Sequence, residues 1–238
     1  TDGRWLVEGG VQDRFRRRML AAARAADRVV VVEGGLATKL VAMGVERERV
    51  RVIPMGLDEK VFVPADREQA RRALGVDPDV RLVLFVGRPT KEKGIEVLER
   101  ALSSLPSSVH AVAVGPRGLE GGRIEYAGHG GPEHVAQWLA AADLLCLPSF
   151  AEGSPVSVVE ALASGRPVVA SAVGSIPSQV VDGLTGLLVE PGDSTGLAVA
   201  LEAALERDWS ADTLRESSRP FWWSKLAPRI EELYEEIL

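Results

Sequence analysis

Two short stretches of this chain combine charge, glycine and the opening of a helical pattern in the way a polyanion site requires. The first is Gly87-Arg88-Pro89-Thr90-Lys91-Glu92-Lys93-Gly94. Arginine offers a planar fork of donors and lysine a point charge, so Arg88 and Lys93 can bracket a diphosphate. Gly87 lets the backbone turn closely, and the amides of a helix opening near Gly94 add partial positive charge. Such a cation pair would stabilise the charge that grows on a departing diphosphate. An ordinary solvated loop carries the same residue types, and spacing alone does not choose between the two readings.

The second stretch is Pro148-Ser149-Phe150-Ala151-Glu152-Gly153-Ser154-Pro155-Val156-Ser157-Val158-Val159-Glu160. Glu152 falls in a loop, and Glu160 falls about one turn inside the helix that follows. Helical side chains lean back toward the N-terminus, which points Glu160 toward the same crevice. Val158, Val159, Ala161 and Leu162 surround it, so its carboxylate needs donors. Two ribose hydroxyls would supply them in a fork. Glu152 could hold sugar hydroxyls, while the amides of Val156 and Ser157 open the helix and can meet phosphate. The competing reading is a helix-start carboxylate that favours the macrodipole. For Glu152 alone that reading is the better one; for Glu160, deep in an apolar segment, function is.

These residues need a scaffold that ends its strands near one another. The pattern predicts strands over 28–32, 50–54, 81–86, 109–114, 123–127, 144–147, 167–171 and 186–189. Helices are expected over 36–43, from 95 onward, and over 135–142, 156–163, 197–205 and 226–237. Strands that are apolar throughout and alternate with helices indicate a parallel sheet covered on both faces, a Rossmann-like α/β fold. Ligands of such sheets bind beyond the carboxyl ends of the strands, where the strand order reverses. Only residues 115–122 join two of the strands. Eight extended residues reach at most about 27 Å, enough for a bare return loop, so no crossover helix is expected there. Turn chemistry at Pro54-Met55-Gly56-Leu57-Asp58 marks a boundary.

Composition narrows the function classes. Of 238 residues 46% are hydrophobic and 26% charged, which suits a chain that buries a sizeable core. The net charge of -6 argues against a general affinity for nucleic acid. The single cysteine, Cys146, can form no internal disulfide; it reads as core filling and fits a reducing, cytoplasmic compartment. No apolar run reaches the length of a membrane span. Asp77-Pro78-Asp79 has metal-motif spacing but precedes a strand and reads as a turn. Gly128-His129-Gly130-Gly131 follows a strand but runs into Glu133 and fails the dinucleotide fingerprint; Gly128 and His129 are expected to border a nucleobase. The run Arg14 to Arg18 reads as a solvated helix face, with peripheral contact at an inner membrane face as the lesser expectation.

Taken together, Gly87-Arg88, Lys93-Gly94, Ser149 to Gly153 and Glu160-Ala161 resemble the donor domain of glycosyltransferase family 4. So do Gly165-Arg166-Pro167-Val168-Val169-Ala170-Ser171, Gly174 with Pro177, and Asp182 to Val189. The likeness runs over 48–205 in the family's order, and linked motifs are far more specific than any one alone. It implies a GT-B fold of two Rossmann-like domains, a nucleoside-diphosphate sugar donor, retention at the anomeric carbon and no catalytic metal or cofactor. It places Arg88 and Lys93 on the diphosphate, Glu152 near the hexose and Glu160 on the ribose. Gly153, Ser154, Pro155, Val156 and Ser157 match the loop whose amides meet sugar and phosphate.

The resemblance also divides the chain. Residues 1–58 match a remnant of the acceptor-side domain and linker, 59–221 the donor domain, and 222–238 the helix that crosses back. Most of the acceptor-side domain has no counterpart here, so the expectation is a chain that binds donor but is catalytically incomplete. Its expected partners are a nucleotide-sugar donor, an acceptor whose class is open, the missing domain, and further copies of itself through the uncovered face. A non-catalytic nucleotide-sugar-binding module and a sugar-nucleotide epimerase or phosphorylase of the same architecture are the alternatives. Three departures bear on specificity: Ser175 and Ser178 in the usual Gly-Gly-x-Pro-Glu segment, Met55 for a common Asn, and the short 115–122 loop.

Overall fold

A computed structural model of the chain describes residues 11–116 and 122–238. Its first part holds helix α1 (Val11–Ala25), strand β1 (Val29–Val31), helix α2 (Gly34–Ala42) and strand β2 (Val50–Val52). The two strands pair in parallel with Val29 opposite Val50, and α2 is the crossover between them. Val31, Ala37, Val45 and Val50 form a small core of their own. Glu33 caps α2 by accepting from the Gly35 amide at 2.8 Å.

The second part begins with α3 (Arg67–Leu74), which Asp66 caps and left-handed Gly75 ends. There follow β3 (Arg81–Val86), α4 (Ile95–Ser103), β4 (Val109–Val114), β5 (Ile124–Tyr126), α5 (Pro132–Ala141), β6 (Leu144–Leu147) and α6 (Val156–Ala163). Next come β7 (Val168–Ser171), the one-turn α7 (Ile176–Gln179), β8 (Gly186–Val189), α8 (Ser194–Glu206), α9 (Ala211–Ser218) and α10 (Trp223–Glu235). The six strands form one sheet in the order β5-β4-β3-β6-β7-β8, every pair parallel. The expected Rossmann-like sheet is present. From β3 the chain winds outward through β4 and β5, then returns to add β6, β7 and β8 on the other side. The strand order therefore reverses between β3 and β6. Of the sequence expectations, the bare loop at 117–121 and the side chains of 11–14 lie outside the described residues. Helices α3, α7 and α9 had not been expected; each is short, and α7 is only one turn.

The strands are apolar because helices cover both faces: β6 and β7 are buried along their whole length. At the amino end of the sheet Asp143 binds the edge together. It accepts from Arg71 at 2.8 Å, from the Leu82 amide at 2.6 Å and from Arg67. Arg71, fully buried, also donates to carbonyls of Ala141, Pro78 and Val80. Arg166 donates to Leu139 and Ala140 at the end of α5, where guanidinium charge meets the negative end of the helix.

Two crossings join the parts side by side. The Leu57 amide donates to Phe221 O and the Trp223 amide to Leu57 O, a short parallel bridge between Leu57 and Trp222. Gly56 lies flat under the Trp223 indole, where a Cβ would sit 2.7 Å from the ring. From there α10 runs back onto the first part. Leu226 and Leu233 pack on Ile53, and Glu236 accepts from Arg28 at 3.0 Å and Arg51 at 3.1 Å. Among the described residues no helix is long and apolar enough to cross a membrane.

Candidate donor site at the sheet reversal

The turn after β3 is shaped by glycine. Gly87 has φ +145 and donates its amide to Val114 O, extending the ladder one residue past the strand. The carbonyl of Gly87 leaves no room for a side chain at Gly115, whose Cβ would meet it at 2.0 Å. Gly115 in turn donates to Gly128 O at 2.9 Å, so the turns after β3, β4 and β5 lie together. Residues Lys91–Lys93 form a single 3-10 turn, and Gly94, at φ +71, starts α4.

Gly94 also decides how close the two candidate loops come. A Cβ there would lie 1.9 Å from Pro148 O, so glycine lets the turn after β3 touch the loop after β6. The Phe150 amide donates to Glu92 O at 2.9 Å across the same seam. These contacts carry Lys93 to Glu152: the Nζ lies 2.7 Å from both carboxylate oxygens. Glu152 is nearly buried and accepts a third bond, from Ser149 Oγ at 2.7 Å. A buried carboxylate with an ammonium and a hydroxyl is held in one orientation.

The other predicted residues sit in the segments that follow β3, β5 and β6. Arg88 is exposed on the same turn as Lys93. Gly153 accepts from the Ser175 amide at 3.1 Å, and Ser154 Oγ lies 3.4 Å from Gln179 Nε2. Pro155 is the N-cap of α6, extended at φ -69 and ψ 113, and Val156 and Ser157 are its first residues. Their amides belong to the first turn, which has no intrahelical acceptors. Glu160 sits half-buried on α6, and burial pushes its carboxyl up from 4.5 to about 7. No hydrogen bond to its carboxylate is made by the described residues. Gly128, with φ +81, and exposed His129 lie in the loop between β5 and α5. His134 Nε2 holds that loop to α5 through Ala127 O at 3.2 Å. Arg88 lies on the turn that carries Lys93, and Glu160 on the helix that follows the Glu152 loop; among the described residues neither is hydrogen-bonded or ion-paired to the Lys93–Glu152 pair.

Sequence reasoning missed four contributors. Ser149 reads as part of a motif, and nothing in the sequence marks its bond to Glu152. Gly94 and Gly174 read as motif glycines, and the sequence does not show the close approaches that need them: at Gly174 a Cβ would lie 2.1 Å from Glu152 O. Gln179 gives no signal in the sequence, because nothing near it marks its meeting with Ser154. Cys146 is buried as expected, and burial raises its thiol pKa, which keeps it neutral.

Comparison with known proteins shows the family and the fold. The family model "Glycosyl transferases group 1" matches residues 80–207, more than half of the chain. A D-inositol 3-phosphate glycosyltransferase from Mycobacterium sp. (strain KMS) is 37% identical over 199 residues, covering 76% of this chain and 45% of that protein. Its counterpart from Nocardioides sp. is 35% identical over 245 residues, covering 88% and 54%. The chain thus spans about half the length of the curated relatives it matches. Among solved structures, sucrose-phosphate synthase from Thermosynechococcus elongatus superposes with a TM-score of 0.85 at 28% identity, over 100% of this chain and 66% of that one. Anabaena HepE, solved with UDP and glucose, gives 0.82 at 25% identity, over 92% and 66%.

Proposed function

We propose, from the premise that the chain belongs to the group 1 glycosyltransferases, that it is the donor-binding half of a retaining glycosyltransferase. Residues 59–221 form the unit that takes a nucleoside-diphosphate sugar. Residues 1–58 and 222–238 are the part that meets the acceptor-side domain, and the packing of α10 on Ile53 supports that division. One observation carries the reading: Lys93 and Glu152 are in contact at the reversal between β3 and β6. That is where an open parallel sheet receives its ligand.

In this reading the diphosphate lies over the amino end of α6, among the amides of Val156 and Ser157 and the cations Arg88 and Lys93. As the bond between sugar and diphosphate breaks, charge accumulates on the leaving oxygens, and these cations stabilise it. Glu152, held by Ser149 and Lys93, accepts from hydroxyls of the sugar ring. Glu160 accepts from the ribose. Uridine is the first base to test, because Anabaena HepE was solved with UDP and with UDP-glucose. Transfer needs an acceptor held against the donor, so the chain alone binds donor and turns over poorly. Neither the class of acceptor nor attachment to a membrane surface enters the reading.

Isothermal titration with uridine, guanosine and adenosine diphosphates tests it. One of the three binds, Glu160→Ala weakens that binding about tenfold or more, and His110→Ala, far from the loops, leaves it unchanged. Binding by none of the three, or equal loss in both variants, overturns the assignment.

A further inference from the structure

The loop that carries Glu152 is gripped from one side by the segment after β7. Gly174 turns there at φ +58 with its Cα against Glu152 O, an approach that a Cβ would close to 2.1 Å. The next residue, Ser175, donates its amide to Gly153 O at 3.1 Å. At the end of α7, Gln179 Nε2 lies 3.4 Å from Ser154 Oγ. Three consecutive residues, Glu152, Gly153 and Ser154, are thus each met by one residue of 174–179.

The last of these contacts is made at a cost. Gln179 is 3% exposed between buried Ile176 and Val180. Its Oε1 has no hydrogen-bond partner among the described residues, nor does the Oγ of neighbouring Ser175. A buried polar atom left unpaired is destabilising, and an apolar side chain of the same shape would avoid that. A methionine has that length and would fill the same space. Packing therefore gives no reason for an amide here, while the contact with Ser154 does.

We propose that Gln179 is a positioning residue for the sugar of the donor: it holds the Ser154 hydroxyl and so fixes the Glu152–Ser154 segment against the hexose. This rests on the donor-site reading above. In the donor-site reading the diphosphate depends on Arg88, Lys93 and the first amides of α6, and Gln179 hydrogen-bonds to none of them among the described residues, so the effect falls on the sugar and spares the nucleotide.

The test is the ratio of affinities for UDP-glucose and UDP, measured by titration on the 238-residue chain and its Gln179→Met, Ser154→Ala and double variants. Gln179→Met is expected to lower the ratio about fivefold, the worth of one hydrogen bond, with UDP affinity unchanged and the melting temperature equal or higher. Ser154→Ala lowers the ratio similarly, and the double variant is no worse than the poorer single one, because both remove the same contact. An unchanged ratio in Gln179→Met, or losses that multiply in the double variant, overturns the proposal while leaving the donor site standing. Failure of the parent chain to bind UDP, GDP or ADP, or their sugars, removes the donor-site reading itself.

Discussion

Lys93 and Glu152 lie 59 residues apart in sequence, and the ammonium of the first sits 2.7 Å from both oxygens of the second. The contact spans the one place in the sheet where neighbouring strands belong to opposite halves of the winding. It also couples the fold to the proposed site, because the pair assigned to the donor holds two loops together.

Breaking that pair from one side should therefore cost stability as well as binding. Lys93→Met leaves the Glu152 carboxylate with only the Ser149 hydroxyl, and denaturant unfolding should show a loss of about 1–3 kcal/mol. The double variant Lys93→Met with Glu152→Gln should recover most of it, since no buried charge is left alone. Diphosphate affinity stays low in both. A double variant no more stable than Lys93→Met would mean that the pair is not what holds the loops.

Donor binding should depend on pH through Glu160. Burial raises its carboxyl from 4.5 to about 7, and in the proposed site ribose hydroxyls would donate to the ionised form, so affinity for UDP should rise from pH 6 to pH 8 as the proton leaves. Titration in buffers of different ionisation enthalpy should detect the proton released on binding at pH 6.5. Glu160→Gln should flatten the profile. A parent profile that is already flat would separate Glu160 from the ligand.

The same group acts on stability with the opposite trend. Below pH 4.5 the carboxyl is neutral whether the chain is folded or not, so burial carries no charge penalty. Between 4.5 and about 7 the unfolded chain gives up its proton and the folded one keeps it, so stability falls as pH rises. The slope is about 1.4 kcal/mol per pH unit and levels off above 7. Glu160→Gln should be more stable than the parent at pH 8 and equal to it at pH 4, as read from unfolding midpoints at each pH.

Asp143 offers the contrast of a charge that serves only the fold. Asp143→Ala strands buried Arg71, frees Arg67 and leaves the Leu82 amide unpaired, which should cost about 3–5 kcal/mol. It lies at the amino ends of β3 and β6, opposite the site. Chain that remains folded at low temperature should bind UDP as the parent does; a large change in affinity would tie the two ends of the sheet together.

The alternation of apolar strands and helices was legible in the residues, since period and β-branched content report burial directly. So was the position of the charged loops, because a parallel sheet always delivers its strand ends to one edge. Short helices such as α7 escaped notice, as four residues are too few to show a helical period. Gln179 escaped for a related reason: its partner Ser154 comes from another element, and nothing local marks the meeting.

What the linear chain determined was the set of chemical groups, the order of strands and helices, and the glycines that let backbones meet. What only the tertiary structure decided was which groups meet: that Glu152 is clasped by Lys93 and Ser149, that Glu160 stands half-buried with no donor among the described residues, and that Gln179 reaches Ser154. Strand order fixes those meetings, and strand order follows from packing between distant segments, so local residue patterns hold no record of it.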